Sequence, residues 1–221
     1  MADYPADQYR DATSLNLWTL RFQYAHVAMS VIAIVSGYMQ LEVLQAMDLG
    51  AFESQEAMEA AAEANDTRQQ IVAIFQLLVY ITAGVLSLMW IHRACFNARV
   101  RATSMQFTPG WAVGWYFIPI ANLWKPYQAM KEIWETTDAQ ANKSMTEGAW
   151  LLGWWWTFWI VSNILANAAF RMSLRAESID ELLSMTKVML ASDLIDIPLT
   201  ILFIQIVRKI SSAQEIARVT S

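Results

Sequence analysis

Cysteine, glycine, proline and histidine are all scarce in this chain, and each shortage excludes something. Cys95 is the only cysteine among 221 residues, so no disulfide can close within the chain and no cysteine-built metal centre can form. It reads as a small buried apolar residue. Seven glycines and five prolines leave no flexible linker, and no segment repeats, so one integral domain over residues 1–221 is the economical expectation. The two histidines, His26 and His92, sit near the ends of separate apolar runs and read as interface-satisfied side chains. No HExxH, GxSxG, glycine-rich phosphate loop or Cys/His cluster occurs, so the sequence offers no catalytic residue, no metal-ligand set and no cofactor site. Basic stripes interleaved with aromatics are missing too, and the net charge is -5, which argues against nucleic acid as a partner. The opening "MADYPADQYRDATSLNLW" is acidic where a signal peptide would be basic, so the first long apolar run reads as a retained membrane span.

What the chain does have is apolar length. It is 56% hydrophobic, only 16% charged and carries eleven tryptophans, a composition suited to membrane helices with aromatic interface anchors. Four stretches are long enough to cross about 30 Å of hydrocarbon at about 1.5 Å per residue, namely residues 25–44, 70–90, 150–169 and 188–207. A fifth, from Trp111 to Trp124, would reach only about 21 Å as helix, and Pro119 breaks its ladder in the middle.

Lys and Arg decide whether that short stretch crosses. With four spans and both termini inside, the cytoplasmic side holds Arg10, Arg21, Arg93, Arg99, Arg101, Lys125, Lys131, Lys143, Arg208, Lys209 and Arg218, leaving Arg68, Arg171, Arg175 and Lys187 outside. If residues 111–124 cross as well, that bias disappears. The expectation is therefore an all-α membrane protein of four transmembrane helices, a Pro-broken re-entrant or half-membrane segment on the cytoplasmic face, and an interfacial amphipathic helix over "PYQAMKEIWETT". In that helix Met130, Ile133 and Trp134 share one face, while Lys131, Glu132 and Glu135 lie on another. Residues 47–69 are Ala/Glu-rich and predict an acidic helical hairpin outside the membrane, with Glu53, Glu56, Glu59 and Glu63 as a solvated stripe.

Gly110-Trp111 and the run Gly114-Trp115-Tyr116-Phe117-Ile118-Pro119-Ile120-Ala121-Asn122-Leu123-Trp124-Lys125-Pro126-Tyr127-Gln128-Ala129-Met130, preceded by Trp90, Arg93 and Asn97, resemble the hallmark of the bacterial membrane family called domain of unknown function 4328. The resemblance implies a multi-helix protein of the bacterial cytoplasmic (inner) membrane and carries no activity with it.

The candidate site lies in "ASDLIDIPLTI". Aspartate at a bilayer centre costs about 2.5–3.5 kcal/mol on the insertion scale, so Asp193 and Asp196 require partners, a wet cavity or protonation. At 100° per residue, Met185, Met189, Asp193, Asp196, Thr200 and Val207 share one stripe that should face the bundle. Counted from the outer ends of the expected spans, Gln76, Asn163 and Asn167 fall at depths within about 10 Å of the outer surface, near the acids, and Trp156 and Trp159 would wall such a pocket. Pro198 frees a carbonyl near Leu194. Two close carboxylates in a low dielectric favour a single shared proton, and oxygen-only partners suit protons or hard cations better than copper or zinc. Met185 and Met189 read as packing rather than as a Cu(I) site.

The plain alternative is a structural clamp that fixes helix register through hydrogen bonds. Arg93, Arg99 and Arg101 read as contacts to lipid phosphates that set topology, and Asn122 with Pro119 and Lys125 as a turn or a cytoplasmic entrance. The thin catalytic inventory, the acidic hairpin and the small residues Ala33 and Gly37 together favour a non-enzymatic accessory or scaffold protein, alone or within a larger complex. Its expected partners are membrane lipids and another protein or a second copy of itself. A small proton- or cation-coupled carrier or sensor centred on the acid pair is the competing expectation.

Overall fold

Short polar residues set where the helices start. The computed structural model describes residues 9–100, 102, 104–141 and 148–219, and among them regular structure is helical, with no strand. Helix α1 runs Thr13–Asp48, α2 Gln55–Val100, α3 Pro109–Gly114, α4 Lys125–Ala141, α5 Ala149–Ser173 and α6 Ile179–Val219. Ser54 starts α2 by accepting the Ala57 N–H at 3.1 Å. At α6, Ser178 accepts the Glu181 N–H at 3.3 Å while the Glu181 carboxylate takes the N–H groups of Ser178 and Glu177, a capping box. Helix α1 ends in a Schellman turn: Ala51 N–H bonds to Ala46 C=O, Gly50 N–H to Met47 C=O, and Gly50 takes the positive φ of 61° that the turn demands. The acidic stretch thus forms a helical hairpin, with Glu53, Glu56, Glu59 and Glu63 exposed.

Three helices, α1, α2 and α6, are long and apolar enough to cross a membrane. Helix α5, which carries the fourth expected span, has 25 residues and is not among the three. Pro198 does not interrupt α6, which runs through it. Pro119 lies outside any helix, between Phe117 and Ala121. The segment after α3 continues as two 3-10 turns, Trp115–Phe117 and Ala121–Leu123, with Ile120 between them at a φ of 68°. Pro126 then sits in the first turn of α4, where no N–H is needed.

The helices pack as two compact units, each drawn from separated stretches of chain: residues 1–23, 82–156 and 201–221 in one, residues 24–81 and 157–200 in the other. The first holds a closed apolar core. Trp90, Met130, Ile133, Leu151, Leu152, Ile206, Val207 and Ile210 are essentially buried, and the Phe203 ring meets Trp90 edge-on at 5.7 Å and stacks on Trp155 at 5.9 Å. The face of α4 that reads as interfacial is therefore covered by protein, because Met130, Ile133 and Trp134 are core residues. On its polar side Lys131 and Glu135 remain open, 3.7 Å apart. Inside this unit the buried Gln214 side chain is paired: its Nε2 donates to Ala94 C=O at 2.9 Å and to Thr137 Oγ1 at 3.4 Å.

The second unit is apolar outside. Ile74, Phe75, Leu77 and Leu78 of α2 are each more than half exposed, a surface that water would not tolerate and hydrocarbon would. Its inner contacts are close: a Cβ on Gly37 of α1 would lie 2.7 Å from Leu190 Cδ2 of α6. The small pair Ala33 and Gly37 is buried in this unit, so the close approach it permits is used within the chain.

Candidate functional site

Three polar residues at positions 193, 196 and 200 leave α6 on one stripe, and each meets a different helix of the second unit. Asp193 Oδ1 accepts from Gln76 Nε2 of α2 at 2.8 Å. Asp196 Oδ1 accepts from Ser162 Oγ of α5 at 2.5 Å. Thr200 Oγ1 lies 3.2 Å from His26 Nδ1 of α1, and the His26 ring meets Tyr80 of α2 edge-on at 5.8 Å. Spacings of three and four residues keep the stripe in line while turning successive side chains by a fraction of a turn, which lets one helix reach three neighbours. The two carboxylates therefore turn to separate helices. Ser162, Thr200 and His26 are buried, and the acids are half-buried.

Of the residues the sequence singled out, Gln76, Asp193, Asp196 and Thr200 lie on or against this stripe. Asn163 and Asn167 do not: both are exposed and donate to carbonyls of their own helix, Asn163 to Trp159 and Asn167 to Asn163, each at 2.8 Å. Their neighbour Ser162, one residue round the helix, takes the inward position instead. His26 was read as an interface residue and is in fact a buried member of the cluster. An alternation of Ser30, Ala33, Ser36 and Gly37 marks the inner face of α1, and His26 lies one turn before Ser30 on that face, donating no side-chain bond to it; the Ser30 hydroxyl bonds to the His26 carbonyl at 3.2 Å. That period was the available signal. Among the described residues no group of three or more His, Cys, Asp or Glu side chains is placed to hold a metal ion.

Of the three arginines read as lipid contacts, the structure describes two, and one of them, Arg99, is turned inward. Arg99 is buried, and its Nη1 donates to Met105 C=O at 2.7 Å and Phe107 C=O at 3.0 Å, so its charge is spent on a loop rather than on lipid. Arg93 donates from Nη1 to the Asp11 carbonyl. Arg101, like Lys143, lies outside the described residues.

The broken segment is an aromatic platform within the first unit. Trp111 and Trp115 rings stand 4.8 Å apart, Lys125 Nζ lies 5.7 Å from the ring centres of both Trp115 and Phe107, and Trp156 Nε1 donates to Leu123 C=O at 2.9 Å. A Cβ on Gly114 would approach Trp111 Cε3 to 3.3 Å, a tight contact with the ring. Asn122 sits in the second 3-10 turn, its N–H bonded to Ile118 C=O at 3.0 Å. Trp111, Phe117, Ile120, Leu123 and Trp124 stay exposed, as do Pro119 and Gly110.

Long apolar helices, an apolar exposed surface around residues 71–81 and polar groups turned toward one another define the class: a multi-helix protein with the make-up of a membrane protein. The sequence profile of the domain of unknown function DUF4328 matches residues 53–212, and the chain belongs to that family. The matched range takes in Gln76, the broken segment, Ser162 and both acids, and leaves out His26. No curated protein and no solved structure matches the chain.

Proposed function

We propose that this protein is a non-enzymatic accessory or scaffold protein of the bacterial inner membrane, working beside a protein partner or a second copy of itself. In this reading α5 is a fourth span, both termini are cytoplasmic, and the aromatic segment 111–124 sits half-immersed at the cytoplasmic face without crossing. The observation that carries it is the distribution of the α6 stripe: Asp193, Asp196 and Thr200 each engage one different helix, so the polar groups serve as a clamp that fixes register. Each such bond is worth on the order of 0.6–2 kcal/mol in a membrane. The exposed apolar and aromatic residues of the segment and the exposed acidic hairpin supply surfaces for lipid and partner.

Native purification tests this. The scaffold reading expects a stoichiometric co-purifying protein or a defined homo-oligomer that survives Asp196→Asn, because an amide still accepts the Ser162 hydroxyl. A lone monomer would sink it. The competing carrier reading draws support from His26 and Tyr80 lying beside the same stripe as Asp196. It expects Asp196→Asn to abolish proton- or cation-dependent flux in proteoliposomes while the protein still folds.

A further inference from the structure

A cavity of about 40 Å³ lies within the second unit beside Asp193, with Gln40 of α1, Gln69 and Gln76 of α2 and Thr186 of α6 in its wall. Small residues make the room: Ala33 and Gly37 on α1 and Ala73 on α2. The volume is about that of one water molecule, whose share of the liquid is about 30 Å³.

The hydrogen bonds already made around this space decide what it can hold. Gln76 Nε2 is turned to Asp193 Oδ1 at 2.8 Å and Gln69 Nε2 to Ser36 C=O at 3.0 Å. A carboxylate and a backbone carbonyl only accept, so both amides are oriented with nitrogen toward those partners and the carbonyl oxygen at the other end. The single hydroxyl proton of Thr186 is committed to Leu182 C=O at 2.7 Å. The wall therefore holds one carboxylate beside a hydroxyl oxygen and amide groups whose oxygens can accept, a set that suits a positive guest. Hard oxygen donors suit an alkali cation. Charge sets the valence. Asp193 is the one acidic side chain in the wall, so a single positive charge balances it and a divalent ion would bring uncompensated charge.

We infer that this cavity is a binding site for a single, largely dehydrated alkali cation, held by Asp193, Gln69, Gln76 and Thr186 and bridging α2 and α6. The site goes beyond the scaffold reading and does not depend on it: the clamp bonds of Asp196 and Thr200 need no ion.

Thermal unfolding of the full chain in a non-ionic detergent or nanodisc, at fixed pH and ionic strength, tests the site with the ions alone. Replacing choline chloride by NaCl or KCl should raise Tm by roughly 2–4 °C, since a ligand held only by the folded state stabilises it by mass action. Choline is too large to enter and serves as the control. Asp193→Asn should abolish the shift. Thr186→Val, which removes one ligand oxygen without changing charge or volume, should reduce it by at least half; this variant carries the test if the aspartate variant does not fold. Equal Tm values in choline, sodium and potassium chloride would overturn the inference, as would an undiminished alkali response in Thr186→Val. A Tm that follows pH but not alkali ions would also overturn it, because the occupant would then be a proton. None of these failures bears on whether a partner co-purifies, which is the test of the scaffold.

Discussion

Arg99 and Glu132 grip one short loop from opposite charges. The buried guanidinium takes the carbonyls of Met105 and Phe107, and the Glu132 carboxylate takes the N–H groups of Gln106 and Phe107, so each charge meets the end of the peptide dipole that suits it. The loop leads directly into α3 and the aromatic platform. Arg99→Ala leaves two carbonyls inside a unit that excludes water, and the cost should be about 2–4 kcal/mol, read as a lowered Tm and as new proteolytic cleavage near residues 105–107. Arg99→Lys should recover less than half of that loss, because an ammonium on a flexible stem lacks the planar fork. Position in the sequence marks Arg99 as one of several cations at the end of an apolar run, where a lipid phosphate is the usual partner. The direction of the side chain depends on where a loop several residues later returns, and nothing local encodes that. The same limit explains Asn163 and Ser162: a helical wheel places them 100° apart, and only the packing of α5 decides which of the two points inward.

Between elements, the close approach of α1 to α6 depends on one missing side chain. Gly37 faces Leu190, which is 8% exposed, so a new side chain has little space to displace it into. Gly37→Val should cost about 1–3 kcal/mol by overpacking, and pairing it with Leu190→Ala should recover most of the loss. Thermal unfolding of the two single variants and the double variant gives the coupling; simple additivity would show that the two positions are not in contact. The helices themselves were legible. The Ala/Glu-rich hairpin and the loss of regular α-helix around Pro119 follow from local propensity and turn chemistry. The fate of the α4 face was not. An amphipathic helix presents the same pattern whether its apolar stripe meets lipid or protein, and the choice is made by residues 90–100 and 203–217, far away in the chain, whose own buried faces form the core of that unit.

At the scale of the whole molecule, the count of crossings remains a matter of charge and length, and one experiment decides it. The four-span topology we propose puts the acidic hairpin outside and both α4 and the end of α6 inside, whereas a segment 111–124 that crossed would carry everything after it to the other face. Single cysteines at exposed positions report the side directly, because the native Cys95 is fully buried and should react little with a membrane-impermeant maleimide. Glu59→Cys on the hairpin should label in intact cells. Glu135→Cys on α4 and Ser212→Cys near the end of α6, both at exposed positions, should label only after the membrane is opened. Labelling of Glu135→Cys and Ser212→Cys in intact cells would make residues 111–124 a true span, despite a length of about 21 Å even as continuous helix and a backbone broken at Ile120. It would also remove the excess of Lys and Arg on the cytoplasmic side. The physical case against that outcome is reach: the carbonyls of Ile118, Pro119 and Ile120 are taken by the N–H groups of Asn122, Ala121 and Leu123 in local turns, which shorten a segment already too short to cross about 30 Å of hydrocarbon.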